Sequence, residues 1–160
     1  MKSKAIAVKL QKMAEFKKSK TILLYLSFDG EVDTLVIIKL AKKLGKRIVL
    51  PRILRKEKKL LPVVLESLKH LQDGPYGIPQ PKSAEGKILD VSQIDMVIVP
   101  GLAFDKKKYR LGRGQGYYDR LLKLLPSTTP TVGLAFDFQL IDFLPQRAAH
   151  DAPVAHVLSN

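Results

Sequence analysis

The chain has 160 residues, is 46% hydrophobic, and carries 28 Lys and Arg against 15 Asp and Glu, a formal net charge of +13. That length suits one domain of about 150 residues, and the apolar content excludes a disordered basic tail. With no cysteine there is no disulfide framework, thiolate nucleophile or Cys-ligated zinc, and no apolar run approaches the roughly 20 residues of a membrane span. Lys2, Lys4 and Lys9 interrupt the N-terminal segment, so no signal-peptide core forms there. A soluble, cytoplasmic domain is expected.

Ile6, Leu10, Met13 and Ala14 recur at helical spacing, which predicts an amphipathic helix over 4–17. The apolar run 21–27 predicts a buried strand, and the polar turn 28–33 follows it. Thr34 is placed to cap a second helix through Leu35, Ile38 and Leu44, stopped by Gly45. Residues 47–50 predict the next strand, ended by Pro51. The alternation αβαβ points to a mostly parallel sheet with helices on its faces. Residues 60–65 form a strand candidate weakened by Pro62, and the three prolines of 74–81 exclude helix or central strand there. Further along come a buried strand at 96–100, a long loop over 101–113, a helix over 116–125, and strands at 131–135 and 155–159.

The charge is unevenly spread. Residues 1–60 hold 17 basic and 5 acidic side chains, and residues 61–160 hold 11 and 10. Lysines at 12, 17, 18, 39, 42, 43 and 46 alternate with apolar residues as on a solvated helix face. Aromatic stacking partners are sparse there, which argues against nucleic acid.

The informative segment is 110–120, Arg-Leu-Gly-Arg-Gly-Gln-Gly-Tyr-Tyr-Asp-Arg. Glycines at 112, 114 and 116 permit positive φ and close backbone approach, so successive N–H groups can form an anion cradle ahead of a helix N-terminus. Arg110 and Arg113 add guanidinium donors, and phosphate is the expected guest, with a merely flexible basic turn as the alternative. The spacing matches neither a Walker A loop nor a dinucleotide fingerprint. Asp119 reads either as a charge complementing the helix N-terminus or as a Mg²⁺ ligand. Glu31 lies beyond the carboxyl end of the first strand, where α/β sheets place ligand contacts. His70, His150 and His156 have no metal-ligand spacing, and His150 with Asp151 forms only a weak pair.

Residues 100–105, Pro-Gly-Leu-Ala-Phe-Asp, followed by the signature over 109–119, closely resemble 5-formyltetrahydrofolate cyclo-ligases, also called methenyltetrahydrofolate synthetases. The resemblance extends through Gly77-Ile-Pro-Gln-Pro81, residues 27–33, the region 16–22 and His150-Asp151, nearly the whole chain. It implies one three-layer α/β domain over 1–160, similar to ribose-phosphate isomerase and CoA-transferase folds. It also implies conversion of 5-formyltetrahydrofolate to 5,10-methenyltetrahydrofolate with ATP and Mg²⁺, releasing ADP and phosphate. Carried over position by position, Arg110, Leu111, Gly112, Arg113, Gly114, Gln115, Gly116, Tyr117 and Tyr118 form the ATP loop. Of these, Arg113 through Tyr117 also face the folate, with Leu26 and Glu31, and Arg113 and Tyr117 carry catalysis. Asp119 and Asp151 match the metal-contacting carboxylates, and Pro79 and Pro81 shape the folate pocket.

Two departures accompany the resemblance. The family's longer N-terminal helix, with its Lys-x-x-x-Arg pair on the ATP phosphates, has no counterpart here, and the Val-Asp pair after Asp151 is Val154-Ala155. The expected partners are small molecules, without membrane or nucleic acid, and the expected state is a monomer. The alternatives are a folate- or nucleotide-binding homologue with little turnover and a basic RNA-binding module.

Overall fold

The computed structural model describes residues 1–82, 86–145, 147–149 and 151–160; His150 lies outside the described residues. In chain order the elements are α1 (Lys2–Lys12), α2 (Ala14–Lys18), β1 (Thr21–Leu23), α3 (Leu35–Lys43), β2 (Arg47–Leu54) and β3 (Lys59–Val64). They continue with β4 (Leu71–Asp73), β5 (Pro79–Pro81), β6 (Met96–Val99), β7 (Ala103–Asp105), β8 (Arg110–Leu111), α4 (Tyr117–Leu124), β9 (Thr131–Ala135), β10 (Leu140–Ile141) and β11 (His156–Ser159). The main sheet runs β11-β9-β6-β1-β2-β3. Its pairs are parallel except β2 with β3, as the alternation of helix and strand predicts.

The side-chain period of two divides the sheet into its faces. Ile22, Leu24, Ile48, Leu50, Met96 and Ile98 turn to one side and meet Ile6, Leu10, Phe16, Ile37 and Ile38 of the first three helices. Leu23, Val49, Val97, Val99 and Ala135 turn to the other and meet Phe104 and Leu121 of α4. The result is three layers. Burial of each such side chain is worth about 1.5–3 kcal/mol, so the sheet is fixed from both faces. The chain leaves β1 toward β2 on one side, and β6, β9 and β11 lie on the other. That reversal between β1 and β6 is a topological switch point, with a crevice beyond the strand carboxyl ends.

Several local expectations are corrected. The helix over 4–17 is two helices, broken at Met13, which is extended (φ −62°, ψ 136°). Pro51 does not end the second strand. Leu65 N–H donates to Ile48 C=O, so alternation makes Pro51 opposite Pro62 a non-hydrogen-bonded pair, where a missing N–H costs nothing. The Thr34 hydroxyl makes no cap; it donates to Tyr25 C=O at 2.6 Å and accepts from Ser27 N–H at 3.2 Å, fastening α3 to the end of β1. Residues 101–113 are not simply loop. They hold the hairpin β7–β8, with Asp105 Oδ1 accepting from the N–H of Lys107 and Tyr109 across its turn.

Candidate active site

The switch-point crevice is a cavity of about 940 Å³, near the upper end for a small-molecule site. It is walled by the loop after β1, the start of β3, the 76–80 turn, the glycine loop, and Pro145, Arg147, Ala148 and Asp151. Leu26, Glu31, every residue from Arg110 to Asp119, and Asp151 all line it, so the structure brings together residues far apart in sequence. Pro79 lines it too, whereas Pro81 is not in its wall, and the Pro81 carbonyl accepts from Arg52 at 2.7 Å.

The glycine loop folds as its sequence dictates. Gly114 (φ +85°) and Gly116 (φ +67°) occupy the left-handed region, which costs a side-chain-bearing residue roughly 1–2 kcal/mol. Gly116 then opens α4 as its N-cap. Arg110 is less available than a surface phosphate fork would be. Its side chain is only 6% exposed, and one terminal nitrogen is held 3.1 Å from Asp119 Oδ2. The other donates to Pro100 C=O at 3.4 Å, and the guanidinium stacks 5.5 Å from the Tyr118 ring. Arg110 Nε and the Tyr118 hydroxyl are buried without a hydrogen-bond partner among the described residues. Such groups carry a desolvation cost that an entering polar ligand can relieve. Burial pushes the Tyr118 phenol well up, so it stays protonated and acts as a donor.

Arg113 crosses to the loop after β1. It approaches Asp29 Oδ2 at 3.7 Å and Glu31 Oε1 at 4.0 Å, donates to the carbonyls of Phe28 and Asp29, and stacks 5.2 Å from the Phe28 ring. Glu31 is held by the Phe28 N–H at 3.0 Å. Burial raises the Glu31 carboxyl above its ordinary range, against the lowering pull of that N–H and of Arg113. Burial first, and Glu31 next, also raise Tyr25 well above the phenol range; its hydroxyl donates to Val32 C=O at 3.4 Å. Tyr117 is likewise raised, chiefly by burial and then by its contact with Tyr76.

Among the described residues no cluster of three or more His, Asp or Glu side chains is assembled to hold a metal ion. Asp119 and Asp151 nonetheless face one cavity. Two hard carboxylates completed by phosphate oxygens and water form a donor set that suits Mg²⁺. Asp151 is also braced locally, its Oδ2 accepting from Ala148 N–H at 2.8 Å.

Sequence reasoning missed Tyr76 and Arg147 in the cavity wall. Tyr76 sits at φ +64°, uncommon for an aromatic residue, with the Arg55 guanidinium 5.3 Å from its ring. Arg147 lies between the rings of Tyr109 (4.4 Å) and Phe143 (4.9 Å). The Gly-Pro-Tyr-Gly turn was a usable signal for Tyr76; nothing local marks Arg147.

Comparison with known proteins follows the same lines. The model of the 5-formyltetrahydrofolate cyclo-ligase family matches residues 1–160. The 5-formyltetrahydrofolate cyclo-ligase of Haemophilus influenzae is 34% identical over 152 residues, spanning 91% of this chain and 79% of the relative. That of Escherichia coli K12 is 37% identical over 134 residues, spanning 78% of this chain and 70% of the relative. The NMR structure of Aquifex aeolicus 5,10-methenyltetrahydrofolate synthetase superposes with a TM-score of 0.82 at 36% identity, covering 98% of this chain and 76% of that one.

Proposed function

The chain belongs to the 5-formyltetrahydrofolate cyclo-ligase family, and we propose that it closes 5-formyltetrahydrofolate to 5,10-methenyltetrahydrofolate at the expense of ATP. One observation carries this reading: the loop suited to phosphate and the acidic loop suited to folate wall the same cavity. In the reaction, the formyl oxygen takes the γ-phosphoryl group and ADP leaves. N10 then attacks the activated carbon, and phosphate departs as the ring closes with loss of the N10 proton.

Such chemistry asks the protein for positioning and charge neutralisation rather than a nucleophile, so the lack of cysteine is no obstacle. The Gly112–Gly116 backbone takes the phosphates, and the helix dipole of α4 favours their charge. Arg113, 38% exposed and resting on the Phe28 and Asp29 carbonyls, has the reach to meet the transferring phosphoryl group between them and the cavity. Glu31 accepts from N–H groups of the folate ring, and Tyr117 presents its ring as a stacking face. Bound Mg²⁺, held by Asp119 and Asp151, would supply charge compensation on the phosphate oxygens.

Purified protein incubated with 5-formyltetrahydrofolate, ATP and Mg²⁺ should generate the methenyl chromophore. A folded protein that yields no product above the enzyme-free control refutes the ligase reading. Arg113→Ala should lower kcat/KM by roughly 10²-fold or more, the usual cost of losing a transition-state charge donor; unchanged kinetics would show that Arg113 does not touch the reacting phosphate.

A further inference from the structure

We propose that Arg120 is a positioning residue that fixes the orientation of the peptide between Gln115 and Gly116. The ATP-related part of the claim rests on the function proposed above; the structural part does not. Arg120 is exposed on the first turns of α4 and is not part of the cavity wall. Its guanidinium nevertheless joins three elements. One terminal nitrogen donates to Gln115 C=O at 2.7 Å, Nε donates to Lys58 C=O at 2.5 Å, and the plane lies 5.5 Å from the Tyr117 ring. A Cβ at Gly116 would sit 3.0 Å from the other terminal nitrogen, so the absent side chain lets the guanidinium close over the turn.

The consequence follows from peptide planarity. In a trans peptide the C=O and the following N–H point in opposite directions. Once Arg120 draws the Gln115 carbonyl to itself, the Gly116 N–H is turned away from the guanidinium. Gly116, which flanks this peptide at positive φ and bears no side chain, would otherwise allow it to rotate cheaply. A rotated peptide would present a carbonyl oxygen to an anion in place of a donor. Arg120 thus holds the cradle in its anion-accepting form without touching the anion. The second bond ties the cradle to the β2–β3 tip, so the hairpin and the glycine loop are braced as one unit.

The test compares the intact protein with Arg120→Ala and Arg120→Lys. Backbone ¹⁵N relaxation is read without ligand. In Arg120→Ala, order parameters at residues 114–117 and 56–59 should fall from about 0.85 towards 0.6, with β6 and β9 unchanged. Arg120→Lys, whose ammonium reaches one carbonyl but lacks the fork, should fall between the two. In turnover assays KM for ATP should rise about tenfold, the loss of one charge-assisted hydrogen bond. Unchanged order parameters in both segments overturn the proposal, as does an unchanged KM for ATP in Arg120→Ala. If the native protein proves inactive, the ligase reading fails and the relaxation data still decide the role of Arg120.

Discussion

Glu31 shows how a single carboxylate reports on its surroundings. Its side chain is 11% exposed, and burial outweighs the Phe28 N–H and Arg113 in setting its proton affinity. Because the folded pKa is raised, the native state binds the proton more tightly than the unfolded chain does. Stability therefore falls as pH rises from the ordinary glutamate range, near 4.3, through the raised folded value. Above that value the penalty is constant. Glu31→Gln keeps an oxygen for the Phe28 N–H and removes the charge, so it should raise the urea midpoint at neutral pH. The gain should shrink to nothing below about pH 4. A neutral-pH midpoint lower than that of the native protein would mean that the Arg113 contact outweighs desolvation. The same substitution should weaken folate binding, because a carboxylate that attracts ring N–H groups is replaced by a neutral amide.

At the scale of the elements, the packing of β9 against β7 limits what the sheet tolerates. Phe104 is fully buried, and a Cβ at Gly133 would fall 2.4 Å from its ring. Gly133→Ala should therefore cost about 1–3 kcal/mol through overpacking, read as a lower denaturant midpoint at constant m-value. Gly45→Ala gives the contrast: its φ of +72° costs the backbone, but nothing lies within 4 Å of the added methyl. Its cost should stay near 1–2 kcal/mol, and a larger loss there than at Gly133 would contradict the steric account. These contacts also mark what the sequence could reveal. Met96–Val99, Thr131–Ala135 and the helix after Gly116 are legible because apolar run, turn and cap are local. The β7–β8 hairpin is not, since strands of three and two residues depend on the packing of Phe104 against Gly133, which meet only after folding. Likewise the glycine loop declares itself in eleven consecutive residues. Arg147 meets Tyr109, and Arg120 meets Lys58, only after folding, so those contacts have no local signature.

For the molecule as a whole, the fold spreads the charge excess over α1 and α2, over α3 and over the β2–β3 tip, and the last two form a contrast. Lys39 and Lys43 lie on α3, which runs back from the loop after β1 towards the start of β2, as a crossover helix must. Its end is thus at the amino edge of the sheet, away from the cavity. Lys56 and Lys58 lie instead at the β2–β3 tip, where the Lys58 carbonyl meets Arg120 and the neighbouring Arg55 meets Tyr76 of the cavity wall. At physiological salt the Debye length is about 8 Å, so of these two groups the tip is the one that can act strongly on a polyanion entering the site. Replacing Lys56 and Lys58 together by Gln should slow ATP association by about tenfold at low ionic strength and flatten its salt dependence. Replacing Lys39 and Lys43 should change the rate by less than about twofold. Stopped-flow binding of ATP across a salt series measures both. Equal effects of the two pairs would mean that net charge alone sets the field; unequal effects place the steering in the hairpin that Arg120 holds against the glycine loop.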